Sequence, residues 1–140
     1  QLNQFTAVGI DFAPKIVKSI QKLMPDLNID VGDVRSLPYK KSSFDGIWSL
    51  GVIEHNWDGY DQILREAHRV LRSGGYFFIA FPSFSPLRKL KVIFKMYPLW
   101  KLENSTKNFY QFLLDPKEVI GKLKELNFEI VNKRSLDGIK

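Results

Sequence analysis

Three short apolar runs in this chain each stop at a polar corner. Thr6-Ala7-Val8-Gly9-Ile10 stops at Asp11, and Asn28-Ile29-Asp30-Val31-Gly32 stops at Asp33. Phe44-Asp45-Gly46-Ile47-Trp48-Ser49-Leu50 stops at Gly51, just ahead of Glu54-His55. Runs this short, separated by helical pattern and punctuated by Gly and Pro, favour alternating strands and helices with a parallel sheet. The alternation predicts strands over 6–11, 28–33, 44–50 and 75–82, and helices over 14–24 and 57–72. Pro14 suits a first helical turn and Pro25 stops that helix. Gly74-Gly75 reads as the C-cap of the long helix. Later, Asp115-Pro116 reads as N-cap and first residue of a helix over 116–126, and the alternating residues 128–133 as a further strand.

In open α/β sheets ligands lie outside the carboxyl ends of the strands. An ionised Asp only accepts hydrogen bonds, so it suits a ligand rich in hydroxyl and amino groups. Asp11 and Asp33, at the ends of two successive strands, therefore suggest a nucleoside-like ligand across the sheet edge. Composition bounds the rest. The 140 residues suffice for one domain with a core, and 44% hydrophobic with 26% charged residues is ordinary for a globular protein. Cysteine is absent, which excludes disulfides and thiolate metal sites and fits a cytoplasmic location. Two histidines without helical metal spacing make no metal site. The net charge of +6 admits nucleic acid, a membrane surface or an anionic substrate, but no nucleic-acid motif accompanies it.

Four segments together carry a resemblance: Val8-Gly9-Ile10-Asp11-Phe12-Ala13-Pro14; Gly32-Asp33-Val34-Arg35-Ser36-Leu37-Pro38-Tyr39; Phe44 through His55; and Glu66-Ala67-His68-Arg69-Val70-Leu71-Arg72-Ser73-Gly74-Gly75. In this order and spacing the chain resembles the class I methyltransferases that use S-adenosylmethionine, in their small-molecule branch. The resemblance implies a doubly wound, mostly parallel Rossmann-like α/β sheet. It further implies a first strand and a glycine-rich turn ahead of Gln1, and a last antiparallel strand after Lys140. The chain is thus expected to be one partial domain over 1–140, incomplete at both ends, and a poor cofactor binder on its own.

The resemblance also implies roles. Asp11 accepts from the two ribose hydroxyls, with helix capping as its plainer reading, and Phe12 packs on the adenine or in the core. Asp33 accepts from the adenine amino group while the Val34 N–H meets a ring nitrogen. The plainer reading of Asp33 is an Asx-turn, and Gly32 serves a close ligand approach or a tight bend. Leu50 and Gly51 run beside the methionine end of the cofactor. His55 is the candidate general base, because its pKa lies near neutrality. His68, mid-helix, reads as a satisfied or solvated side chain.

Residues of about 83–108 depart from the alternation and are expected to form a helical insert. Over Leu87–Trp100 the apolar Leu87, Leu90, Ile93, Phe94, Tyr97 and Trp100 share one face, while Arg88, Lys91 and Lys95 share another. This fits ordinary packing, a lid over a substrate pocket, or contact with a membrane surface. The leading expectation is an enzyme that moves a methyl group to a small-molecule acceptor. The alternatives are a non-catalytic nucleotide-binding module, a nicotinamide-dependent dehydrogenase and a membrane-surface protein. Oligomeric state is not legible.

Overall fold

A computed structural model of the chain describes residues 5–83 and 111–134. Two strand–helix–strand units follow one another. In the first, β1 (Gly9–Asp11) leads through α1 (Pro14–Leu23) to β2 (Ile29–Val31). In the second, β3 (Phe44–Leu50) leads through a 3-10 turn (Ile53–His55) and α2 (Asp61–Val70) to β4 (Leu71–Ala80). A last helix, α3 (Pro116–Glu125), follows. Both strand pairs are parallel, with Asp11 opposite Val31 and Leu50 opposite Ala80. The α/β class and the parallel pairing agree with the sequence. The single expected sheet is instead two two-stranded sheets among the described residues.

Local chemistry explains the helix ends. Pro14 occupies the first turn of α1, where its missing N–H costs nothing. Asp115 caps α3 by accepting the Lys117 N–H at 2.8 Å, with Pro116 next in line. In α2 the buried positions Ile63, Leu64, Ala67 and Val70 form one apolar stripe. Of these, Ile63 and Leu64 join Ile53, Tyr60, Leu114, Val119 and Leu123 in the main core, against which Phe77 and Ile79 of β4 pack. The opposite face of the second sheet carries Trp48, Leu50, Tyr76 and Phe78, all exposed, with Trp48 66% accessible and stacked on Phe78 at 4.8 Å.

Three expectations need correction. The helix expected over 57–72 begins at Asp61, because Gly59 takes φ +91° and Asn56 donates to the Gly59 carbonyl, so residues 56–59 form a turn. It also ends at Val70. Leu71 is already extended, so Gly74-Gly75 is no helix cap. Instead the pairing steps from Phe44–Leu71 to Gly46–Tyr76, so the extra residues of β4 bulge out with Gly74 at φ +75°. Gly75 is required there because a Cβ would lie 2.9 Å from the Asp45 carbonyl oxygen. Residues 128–133 form no ladder with any described strand. Their alternation appears only in burial, with Phe128 and Ile130 on the core while Val131 is exposed. The insert of about 83–108 lies, Ser83 apart, outside the described residues, and with it Leu87–Trp100.

Candidate functional site

The parallel register sets the site. The Asp11 carbonyl accepts the Gly32 N–H at 2.9 Å, so Asp11 and Asp33 stand at adjacent strand ends, on strands about 4.8 Å apart. Asp11 Oδ1 accepts the Ala13 N–H at 2.8 Å. The N-cap of α1 is Ala13, and no side chain caps it, so Asp11 makes a local turn and does not cap the helix as its plainer reading held. Among the described residues nothing donates to Asp11 Oδ2. Phe12 is 81% exposed at the same tip, which removes the core-packing reading.

Asp33 is engaged. Its Oδ1 accepts the Arg35 N–H at 2.8 Å, the Asx-turn foreseen from sequence, and the Arg35 guanidinium donates to both carboxylate oxygens at 2.7–3.0 Å. Hydrogen bonding from Arg35 holds the Asp33 carboxyl below its usual range. Arg35 Nη1 also lies 4.0 Å from Asp58 Oδ2. Val34 packs against the main core, and among the described residues no hydrogen bond takes its N–H. Gly32 is explained by packing: a Cβ there would lie 2.5 Å from Ile10 Cδ1.

The loop after β2 is pinned to α2 by a clamp. Arg69 donates to the carbonyls of Tyr39 at 2.7 Å and Leu37 at 3.0 Å, and to both oxygens of Glu66. Glu66 Oε2 accepts the Leu37 N–H at 2.9 Å. These bonds, above all those from Arg69, hold the Glu66 carboxyl below its ordinary value. The clamp brings the carboxyl end of β2 beside the second unit. There a cleft of about 290 Å³ opens between Arg35, Asp58, Gln62 and Arg65. Its lining includes none of Asp11, Asp33, Leu50 or Gly51, so it flanks the strand ends and does not cover them.

At the tip of β3 the Gly51 N–H reaches the Ala80 carbonyl at 2.9 Å, and Gly51 takes φ +71°, a left-handed conformation that glycine adopts at no cost. Leu50 is exposed. In the following turn His55 is exposed while Glu54 is only 2% accessible. His68 is exposed and meets Phe128 edge-on at 5.4 Å, in accord with its structural reading. The structure thus gathers Asp11, Phe12, Asp33 and Val34 at the ends of β1 and β2, and Leu50, Gly51 and His55 at the end of β3. Sequence reasoning missed Arg35, the Glu66–Arg69 clamp and the burial of Glu54. The last had a signal, since Glu54 directly follows Val52-Ile53 in a run that must turn back to the core.

Residues 1–79 match the family model described as a methyltransferase domain. The chain belongs to this methyltransferase family. It is 36% identical over 84 residues to a probable S-adenosylmethionine-dependent methyltransferase of Mycolicibacterium smegmatis, covering 58% of this chain and 32% of that protein. It is 33% identical over 117 residues to a demethylmenaquinone methyltransferase of Lactobacillus johnsonii, covering 76% of this chain and 48% of the relative. The chain therefore spans about a third to a half of these curated relatives' length. A solved S-adenosylmethionine-dependent methyltransferase from Methanosarcina mazei shares the fold, with a TM-score of 0.70 at 23% identity, over 89% of this chain and 70% of that one.

Proposed function

We propose that the protein binds S-adenosylmethionine across the carboxyl ends of β1, β2 and β3 and transfers its methyl group to a small-molecule acceptor. The observation that carries this reading is the pair Asp11 and Asp33 on adjacent parallel strand ends, within a chain of the methyltransferase family. The donor set fits the cofactor. Asp11 Oδ2 is ready to accept from ribose hydroxyls, the Val34 N–H is ready to donate to a ring nitrogen, and Phe12 offers an exposed apolar ring. Asp33 fits with one adjustment: its lone pairs are taken by Arg35, which must turn outward, toward Asp58, before Asp33 can accept from an amino group.

The bound cofactor supplies an activated methyl group on a good leaving group. The protein's part is alignment and exclusion of water, which in such a displacement can provide much of the rate. The Glu66–Arg69 clamp fixes the loop that carries Asp33 and Val34. Leu50 and Gly51 present the tip of β3 to the methionine end. His55, exposed one turn further on, is the proposed base for the proton of an acceptor hydroxyl. The demethylmenaquinone methyltransferases among the relatives favour a quinol-like acceptor.

The test is release of S-adenosylhomocysteine by the full-length protein supplied with S-adenosylmethionine and a reduced demethylated naphthoquinone. Turnover that falls in Asp11→Ala and His55→Ala supports the reading. Failure of the wild type to bind S-adenosylmethionine in calorimetry refutes it.

A further inference from the structure

We infer that Glu54 is a further binding residue of this site and holds the α-ammonium at the amino-acid end of the cofactor. The inference rests on the proposed placement of the nucleoside over Asp11 and Asp33. Among the described residues two buried side-chain polar atoms lack any hydrogen-bond partner, Ser49 Oγ and Glu54 Oε2. Both belong to the tip of β3 and the turn that follows. A buried carboxylate oxygen without a donor is costly, and its persistence calls for a missing partner.

The geometry says from where that partner comes. The Glu54 backbone is fixed from one side, its carbonyl accepting the Phe112 N–H at 2.9 Å. Its side chain reaches back toward Gly51. Among the described residues, the chain neighbours of Gly51 apart, Glu54 Oε1 is the one atom within 4 Å of where a Cβ on Gly51 would stand, at 3.5 Å. Gly51 itself is exposed. One carboxylate oxygen of Glu54 therefore lies behind the exposed Gly51 at the strand tip, and any side chain at position 51 would stand against it.

The partner must donate hydrogen bonds, and a positive charge best offsets a buried anion. S-adenosylmethionine carries two cations. Its sulfonium has no N–H, whereas its α-ammonium has three. The ammonium thus satisfies both the charge and the empty lone pairs of Glu54.

Calorimetry on the full-length protein tests this with two ligands, S-adenosylhomocysteine and 5′-methylthioadenosine. Both carry the nucleoside, but the second lacks the amino-acid end. Glu54→Gln keeps the shape and removes the charge. It should weaken S-adenosylhomocysteine by roughly tenfold or more and leave 5′-methylthioadenosine within about twofold. Unchanged S-adenosylhomocysteine affinity overturns the inference and points to an acceptor contact or none. Equal weakening of both ligands also overturns it, since that is the mark of a structural role. Asp11→Asn serves as the reference and should weaken both ligands. If it weakens neither, the nucleoside placement itself has failed, and the Glu54 inference falls with it.

Discussion

Asp11 offers a perturbation that separates two roles of one side chain. Oδ1 is spent on the Ala13 N–H at 2.8 Å, and Oδ2 is left for a ligand. Asp11→Asn keeps an oxygen for the turn but replaces the second acceptor with a donor. Asp11→Ala removes both. The turn is worth about 1 kcal/mol, the scale of a local side-chain-to-backbone bond at a helix entrance. Ribose hydroxyls donating to a carboxylate are worth roughly 1.5–3 kcal/mol. In the full-length protein both variants should therefore lose about 10- to 150-fold in S-adenosylmethionine affinity. Only Asp11→Ala should lose the additional ~1 kcal/mol in urea unfolding. Affinity is read by calorimetry and stability by the urea midpoint. If Asp11→Asn binds like the wild type, Asp11 is a turn residue only and the ribose assignment is refuted.

Arg35→Ala should free Asp33 and tighten S-adenosylmethionine binding by about two- to fivefold, the scale of a solvent-exposed ion pair; weaker binding in calorimetry would mean that Arg35 itself contacts the ligand. Glu66 titrates below its ordinary value of 4.5 when folded, so its contribution to stability is complete above that value and is lost as pH falls through the folded value. Urea midpoints across pH should accordingly fall more steeply on acidification in the wild type than in Glu66→Gln, and parallel curves would remove the clamp as the cause. Gly32→Ala should cost about 1–3 kcal/mol and be largely relieved by Ile10→Val, because the obstacle at 2.5 Å is a side-chain end. Gly75→Ala should find no such rescue, because its obstacle includes the Asp45 carbonyl at 2.9 Å; rescue of Gly75→Ala by trimming Leu71 alone would show the backbone contact to be harmless.

The parts of the fold legible in the sequence are those set by local chemistry. Pro14, Pro25 and Asp115-Pro116 mark their helix ends because ring geometry and a capping oxygen act within one turn. Asp11, Asp33 and Gly51 were legible because each apolar run stops there. What was not legible depends on distant partners. Gly74-Gly75 has the composition of a helix cap, and only the pairing of β4 with β3 shows that it fills a bulge. Residues 128–133 alternate correctly but meet no strand, so periodicity gave their burial and not their hydrogen bonding. The pairing of Arg35 with Asp33 depends on how the turn folds the guanidinium back, which no sequence pattern marks. The partners of Glu66 and Arg69 in the loop 37–39 are remote in sequence, so no local pattern marks that clamp.

The stacked pair Trp48 and Phe78 gives the second sheet an optical property. Trp48 is 66% accessible, so its indole faces water and should emit at long wavelength and be quenched readily by acrylamide or iodide. Parallel sheets are ordinarily covered on both faces. Any layer that settles over Trp48, Leu50, Tyr76 and Phe78 would dry the indole, shift its emission to the blue and shield it from quencher. The emission of this tryptophan, compared with that of Trp48→Phe, thus reads the coverage of that face directly, in solution and without added label.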